Sequence, residues 1–565
     1  MEQCLHFDQV QFFQEIEKFE QLSRLRRNCP SIQLDHPDKK EPPVQSDHSR
    51  PQQWHGRNES RILPGGPVQP ERPMPELPSI PAQPVNPEQL LQLAKISRQL
   101  EPDYADREHL TTKAVNYADQ FVESLSSSPG FVSGRIDKLK GLQIQDEPGS
   151  IDELFKILKE EVDAIGINSA SGRHLGYIPG GGLYTSAIGD FLAAATNRYA
   201  GIGYSSPGAV EIENQVIRWL TSLVGYPASA HGNLTSGGSV ANLIAIKAAR
   251  DFHGISSENV KKCVIYFTEQ AHHCIFKALN ITGLHEATMR QIPLNERFQM
   301  NTAALMNQLQ EDTEAGLQPF LVVGTAGTTD TGAVDPLYEI AALARQHNAW
   351  FHVDAAYGGF FVLVDELKQK FHGIEKANSI VMDPHKTLFI PYGSGVVLVR
   401  NRRDLLDSNA HTAAYMNDAS DFDDIDPADA GIELSRHFRG MRIWLPLHIH
   451  GVAPFKASLT EKVLLCRYFR DEARKAGFET GPEPDLSVTI FRLPCDADNT
   501  LNKRFLKALH ENGKVFFSST TINGKFWIRC AVVSFRTHVD EIREALQMIK
   551  DVARLIDKRM IEWKN

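Results

Sequence analysis

Ser379-Ile-Val-Met-Asp383-Pro-His385-Lys386-Thr387 is a short apolar run that breaks directly into an acid, a histidine and a lysine. The run reads as a buried strand, which leaves Lys386 just past its carboxyl end. A lysine there is either an ordinary cation after a strand or a reactive amine, because partial desolvation and nearby cations lower an ammonium pKa and free the lone pair. Trp350-Phe-His-Val-Asp354-Ala-Ala356-Tyr-Gly-Gly repeats the pattern, with an acid at the end of a strand apolar on both faces. From about Leu183 such strands alternate with helical patterns, the arrangement that gives right-handed crossovers and a sheet covered on both sides. The fold class this predicts is α/β, and its ligands should collect at the carboxyl ends of the strands.

Three further strand ends carry candidate chemistry. After Gly232-Asn-Leu comes Thr235-Ser-Gly-Gly238-Ser239, which opens a helix marked by Val240, Leu243, Ile244 and Ala248. Backbone amides at such a helix start can hold a phosphate, although a tight strand-to-helix connection looks the same. Val264-Ile-Tyr-Phe-Thr-Glu-Gln270-Ala-His272-His273 runs into paired imidazoles, either core histidines or rings that stack on a flat ligand. Phe320-Leu-Val-Val-Gly-Thr-Ala-Gly-Thr-Thr329 ends in hydroxyls that suit a polar ring edge or an ordinary loop. Asp354, if buried, needs a cationic or hydrogen-bonding partner, which a neighbouring arginine, a helix start or a protonated pyridine nitrogen could each supply.

A phosphate cradle, a flat residue for stacking, an acid for a ring nitrogen and a Schiff-base lysine are together the requirements of pyridoxal 5′-phosphate (PLP). The glycine signatures of nicotinamide and P-loop enzymes and the His-Glu-x-x-His of zinc proteases do not occur. His448 and His450 alternate without an acidic or thiol ligand nearby, so a structural role is expected and no metal site.

The 565 residues suffice for two or three packed units, and a formal charge of −10 argues against nucleic-acid binding, which needs a basic face. Seven scattered cysteines read as reduced thiols. With no apolar run of bilayer length and no leader pattern at the start, no membrane partner is expected and the expected compartment is the cytoplasm. Residues 8–27 have amphipathic helical spacing, and prolines recur from Pro30 to Pro87 in a stretch too polar to bury a core. Four segments follow: a poorly ordered 1–88, helices over 89–182, a large domain over 183–444 and a small C-terminal α+β domain over 445–565. In the last, Asn523-Gly524 joins two strand-like runs as a hairpin, and a final helix is predicted with Thr537 as N-cap and Val539, Ile542, Leu546, Ile549 and Val552 facing the sheet.

In Gln270-Ala-His272, Gly327-Thr-Thr-x-x-Gly-Ala-x-Asp-Pro, His352-Val-Asp354-Ala-Ala-Tyr, Asp383-Pro-His-Lys386 and Arg436-His-Phe-Arg439-Gly-Met-Arg-Ile-Trp, in that order, the chain resembles the group II PLP-dependent amino acid decarboxylases, from about His174 onward. The resemblance implies a type I, aspartate aminotransferase-like fold whose large domain has a mainly parallel seven-stranded sheet. It also implies a homodimer with active sites at the interface and the 89–182 segment wrapped on the partner. By the same resemblance Lys386 is the Schiff-base lysine, His272 stacks on the cofactor, Asp354 holds the pyridinium nitrogen and Ala356 touches the ring. Gly238, Ser239, His385 and Asp383 surround the phosphate and lysine side, with Thr329 nearby.

Tyr415, in His411-Thr-Ala-Ala-Tyr-Met, matches the tyrosine that in this family protonates the α-carbon after carbon dioxide leaves. Relatives with phenylalanine there tend to make aldehydes, so Tyr415 favours simple decarboxylation. Thr387 stands where many members have tryptophan, Asp383 where many have asparagine, and Tyr177-Ile-Pro-Gly-Gly-Gly replaces bulkier pocket residues. The expected substrate is a neutral L-amino acid, aliphatic or aromatic, converted to its amine. The alternatives are aldehyde formation, transamination or carbon–carbon lysis on the same fold, and a noncatalytic binding protein.

Overall fold

The computed structural model describes residues 86–410, 425–494 and 496–562. The helix expected over 8–27, the proline-rich stretch up to residue 85 and Tyr415 lie outside the described residues.

The first helices are Pro87–Ser97 and Tyr104–Ser124, where the apolar spacing places them. Asp103 caps the second by accepting from the Asp106 N–H at 2.9 Å.

Seven strands form the large sheet: β1 (His231–Thr235), β2 (Cys263–Phe267), β3 (Thr288–Gln291), β4 (Gln318–Thr325), β5 (Trp350–Asp354), β6 (Ser379–Met382) and β7 (Gly395–Val399). Their spatial order is β1-β7-β6-β5-β4-β2-β3. The strands from β6 across to β3 are mutually parallel, while β7 runs antiparallel to both β1 and β6. β1, β2, β5, β6 and β7 are buried along their whole length, which explains why all of them except the polar His231-Gly-Asn-Leu-Thr235 read as largely apolar runs without alternation. Apolar clusters fill the two sides of this sheet, one containing Val264, Val353 and Ile380 and the other Ile265, Val381 and Val397. The register sets Asp354 beside Thr325 on β4 and Val381 on β6, so the acid closes the carboxyl edge in mid-sheet.

A second sheet contains β8 (Glu479–Thr480), β9 (Val488–Arg492), β10 (Phe516–Ile522) and β11 (Lys525–Ala531). The hairpin between β10 and β11 pairs Ile522 with Lys525, and Asn523 and Gly524 adopt φ of 50° and 74°, as a two-residue primed turn requires. Two features differ from the sequence reading. The pair His174–Leu175 adds to this sheet as a parallel edge beside Phe516 and Phe517, a long-range pairing that two residues of local pattern cannot announce. The final helix spans Val539–Glu562, one residue later than a Thr537 cap implies. Thr537 instead donates its hydroxyl to the Gly172 carbonyl at 2.7 Å, and the Glu541 carboxylate accepts from the His538 N–H at 2.9 Å. Ile542, Leu546, Ile549 and Val552 are buried as expected, whereas Val539 in the first turn is exposed. The division expected at 444/445 falls inside the helix Met441–His450. Among the described residues no helix is long and apolar enough to cross a membrane.

Gly524→Val forces a β-branched side chain into a left-handed backbone position, and should cost about 1–2 kcal/mol of stability. The expected result in urea denaturation is a lower midpoint with an unchanged slope.

Candidate active site

The site is built where five strands of the large sheet end, β4 and the loop after it contributing Thr325, Gly327 and Thr329. After β1, Ser236 and Gly237 turn the chain into the helix Gly238–Phe252, and Gly237 holds φ 155°, a conformation that glycine tolerates. A Cβ on Gly238 would lie 2.8 Å from Asp383 Oδ2, so only glycine lets the turn approach the β6 end. After β2, His272 caps the helix His273–Ile281, its Nδ1 accepting from the Cys274 N–H at 3.3 Å. Asp354 terminates β5, 5% exposed, and its Oδ1 accepts from the Ala356 N–H at 3.1 Å. After β6, the single helical turn Pro384–Thr387 carries His385 and Lys386.

A cavity of about 360 Å³ joins these ends, lined by Gly238, Ser239, His272, Thr329, Asp354, Ala356, Asp383, His385 and Lys386. Every candidate residue named from the sequence that lies among the described residues is therefore brought together; Tyr415 lies outside them. Asn242, Cys274 and Tyr357 also line it and went unnoticed in the sequence. Asn242 sits one helical turn beyond Gly238, and a polar residue on the buried face of that helix was the available signal.

The electrostatics correct one expectation. Burial opposes the charge on Lys386, but Asp383 and Asp354 outweigh it and hold its pKa above the ordinary lysine value. The Asp383 Oδ2 lies 3.0 Å from Nζ and 3.7 Å from His385 Nε2. The desolvation expected to free the amine is thus outweighed by carboxylates, and no cationic neighbour among the described residues adds to it. His272 is held below its ordinary value by burial, with Asp354 working against that. His385 is also lowered by burial, and its Nδ1 meets the Ser394 carbonyl. Burial pushes the Cys274 thiol up to about 12, which keeps it protonated.

A buried polar chain supports the cavity from behind. His352 lies two residues before Asp354; its Nε2 is 2.7 Å from Asn242 Oδ1 and its Nδ1 is 2.8 Å from Ser379 Oγ. Asn242 donates to the Gly238 carbonyl at 2.9 Å, and the Trp350 indole donates to Ser379 Oγ at 2.8 Å. Burial lowers the His352 pKa to about 4, so the ring is neutral. Because Asn242 Oδ1 only accepts, the proton belongs on Nε2, and Ser379 donates to Nδ1.

Arg529 on β11 also serves the site. It is 3% exposed, donates to Ser518 Oγ at 2.7 Å, to the Asp330 carbonyl at 3.2 Å and to the Thr329 carbonyl. It ties the loop after β4 to the second sheet. Gly180, in the Tyr177-Ile-Pro-Gly-Gly-Gly stretch, donates its N–H to the His385 carbonyl at 3.3 Å, so that stretch lies against the lysine turn. His448 packs on Trp444 and His450 Nε2 meets Thr185 Oγ1 at 3.0 Å.

The family model described as the pyridoxal-dependent decarboxylase conserved domain matches residues 134–494. The chain belongs to the pyridoxal-dependent decarboxylase family. It is accordingly a PLP-dependent carboxy-lyase of the type I fold. An aromatic-L-amino-acid decarboxylase of Bacillus atrophaeus is 33% identical over 67% of this chain and 80% of its own length. Among solved structures, Oryza sativa TDC with PLP and tryptamine matches at 26% identity with a TM-score of 0.76, covering 81% of this chain and 99% of that one. Rhodiola rosea 4-hydroxyphenylacetaldehyde synthase matches at 25% identity and TM-score 0.74, covering 80% and 99%.

The cavity of this decarboxylase fits the cofactor. Gly237 and Gly238 form a cradle that a side chain would fill, at the start of a 15-residue helix. Gln270 Oε1 and Asp383 Oδ1 are buried there without hydrogen-bond partners among the described residues.

Gly238→Val should leave the protein folded but abolish its cofactor absorbance, because the new side chain fills the cradle. In cofactor-free protein, Asp383→Asn removes the carboxylate 3.0 Å from Lys386 Nζ and should lower that amine's pKa. Cofactor capture needs the neutral amine, so its rate rises with pH; the pH–rate profile should move to lower pH in the variant. An unmoved profile would show that Asp383 does not control the amine.

Proposed function

We propose that this enzyme decarboxylates a neutral L-amino acid, aliphatic or aromatic, to the corresponding amine and carbon dioxide. The observation that carries this reading is the convergence of Lys386, Asp354, His272 and the Gly237-Gly238 turn on one cavity. Bound PLP supplies an electron sink for the pair released when the substrate's carboxylate leaves. Lys386 anchors the cofactor, and Asp354, buried at the end of β5, keeps a proton on the ring nitrogen. His272 provides a flat imidazole that burial keeps neutral, suited to stacking on a ring. Gly238 and Ser239 hold phosphate through the helix start, His385 flanks it, and Ala356 and Thr329 border the ring. Tyr415 delivers the proton to the α-carbon.

A neutral substrate is favoured because, among the described residues, the cavity's cationic side chain is Lys386, with no arginine in its lining to hold a second carboxylate. The reading also includes a homodimer with shared sites. The helix Tyr184–Thr196 supports it, since Tyr184, Ile188, Phe191 and Leu192 are exposed large apolar residues on one element. A second reading, aldehyde formation, is favoured by the likeness to an aldehyde synthase; Tyr415 argues for the amine.

Product analysis with each standard amino acid tests this: amine and carbon dioxide in equal amounts are expected, and hydrogen peroxide or a keto acid would overturn it. Lys386→Ala should lose both turnover and the cofactor's lysine-linked absorbance band. Tyr415→Phe should lower amine formation at least ~100-fold, the usual worth of a positioned acid, with aldehyde appearing instead.

A further inference from the structure

A second cavity, of about 410 Å³, lies at the opposite end of the large sheet, where β5 and β6 begin and antiparallel β7 ends. It is separated from the Asp354 end by the length of β5, roughly 13 Å at ~3.3 Å per residue. No residue of the PLP cavity lines it.

Its lining combines cations with rings. Arg345, Lys376 and Arg400 all contribute, on a chain whose formal net charge is −10. Lys376 has Glu375 Oε1 at 3.5 Å, and Arg400 Nε donates to the Glu375 backbone carbonyl at 3.2 Å. Among the described residues no carboxylate forms an ion pair with Arg345 or Arg400. Three like charges around one cavity repel, and the two unpaired guanidiniums each offer a planar fork of donors suited to phosphate or carboxylate.

The rings are exposed yet held in place. Phe252 is 53% and Tyr338 44% exposed. Phe252 stands edge-on to Trp350 at 5.4 Å, and His372 stacks on Tyr338 at 4.6 Å, with Lys376 Nζ 5.4 Å from the Tyr338 centroid. Trp350 forms a wall of the cavity and is fixed by its indole bond to Ser379, so the wall is preorganised and little ordering entropy is lost on binding.

We propose that this cavity binds a small aromatic anion, a flat ring bearing a phosphate or carboxylate. The ring covers Phe252 and Tyr338, and the anionic group takes Arg345 and Arg400. A polyanion such as nucleic acid is disfavoured by the acidic charge of the whole chain, whereas a single small anion meets only the local cations.

The test uses the full chain loaded with PLP, so that the cradle at Gly238 is already filled. Phenyl phosphate is titrated calorimetrically, with benzyl alcohol and inorganic phosphate as ring-only and anion-only probes. The expected result is one phenyl phosphate per chain, weakened at least tenfold by Arg345→Gln with Arg400→Gln, and each partial probe at least tenfold weaker than phenyl phosphate. If the double variant does not fold, Arg345→Gln alone is used, and a severalfold loss is expected. No binding of phenyl phosphate, unchanged affinity in the variants, or inorganic phosphate binding as tightly as phenyl phosphate overturns the assignment.

Discussion

Charge has to be carried at one edge of a sheet that is otherwise apolar on both faces. Asp354 and Asp383 lie at the ends of adjacent parallel strands and are both almost fully buried, so Asp354 depends on the Ala356 N–H and Asp383 on the ammonium of Lys386. The fold meets that demand with local devices: a helix start after β1, a hydrogen bond from the Ala356 N–H back to the Asp354 carboxylate, and a single helical turn that brings Lys386 to Asp383. In the proposed reading the cofactor would complete this arrangement, with its phosphate at the helix start and its ring nitrogen at Asp354.

The buried chain Trp350–Ser379–His352–Asn242–Gly238 shows the same logic one layer deeper. Polar groups inside a packed sheet are tolerated only when each has a partner, and here every donor finds an acceptor. The chain fixes the helix that carries the glycine turn relative to β5 and β6. The distance from cradle to Lys386 is thereby set by hydrogen bonds and not by apolar packing alone. Arg529 does the equivalent from the second sheet, holding the loop that carries Thr329.

Much of this was legible in the sequence because the signals are local. Apolar runs that lead into Asp354 and toward Lys386 mark strand ends, the paired glycines mark a close approach, and Asn523-Gly524 marks a turn with positive φ. The misreadings were also local in cause. Thr537 looks like a cap because threonine is a common one, but its hydroxyl serves Gly172, more than three hundred residues away. Val539 has the right helical spacing and yet lies in an uncovered first turn.

By itself the sequence determined the strand and helix periodicity, the residues at each strand end and the motifs that mark a PLP enzyme, because each depends on neighbours a few positions apart. Only the tertiary structure decided the sign of the Lys386 shift, since two carboxylates from different segments outweigh burial there. It alone decided that His174–Leu175 joins the second sheet, and that Arg345, Lys376 and Arg400 share one cavity. Electrostatic energies depend on distances through folded space, and no spacing along the chain encodes them.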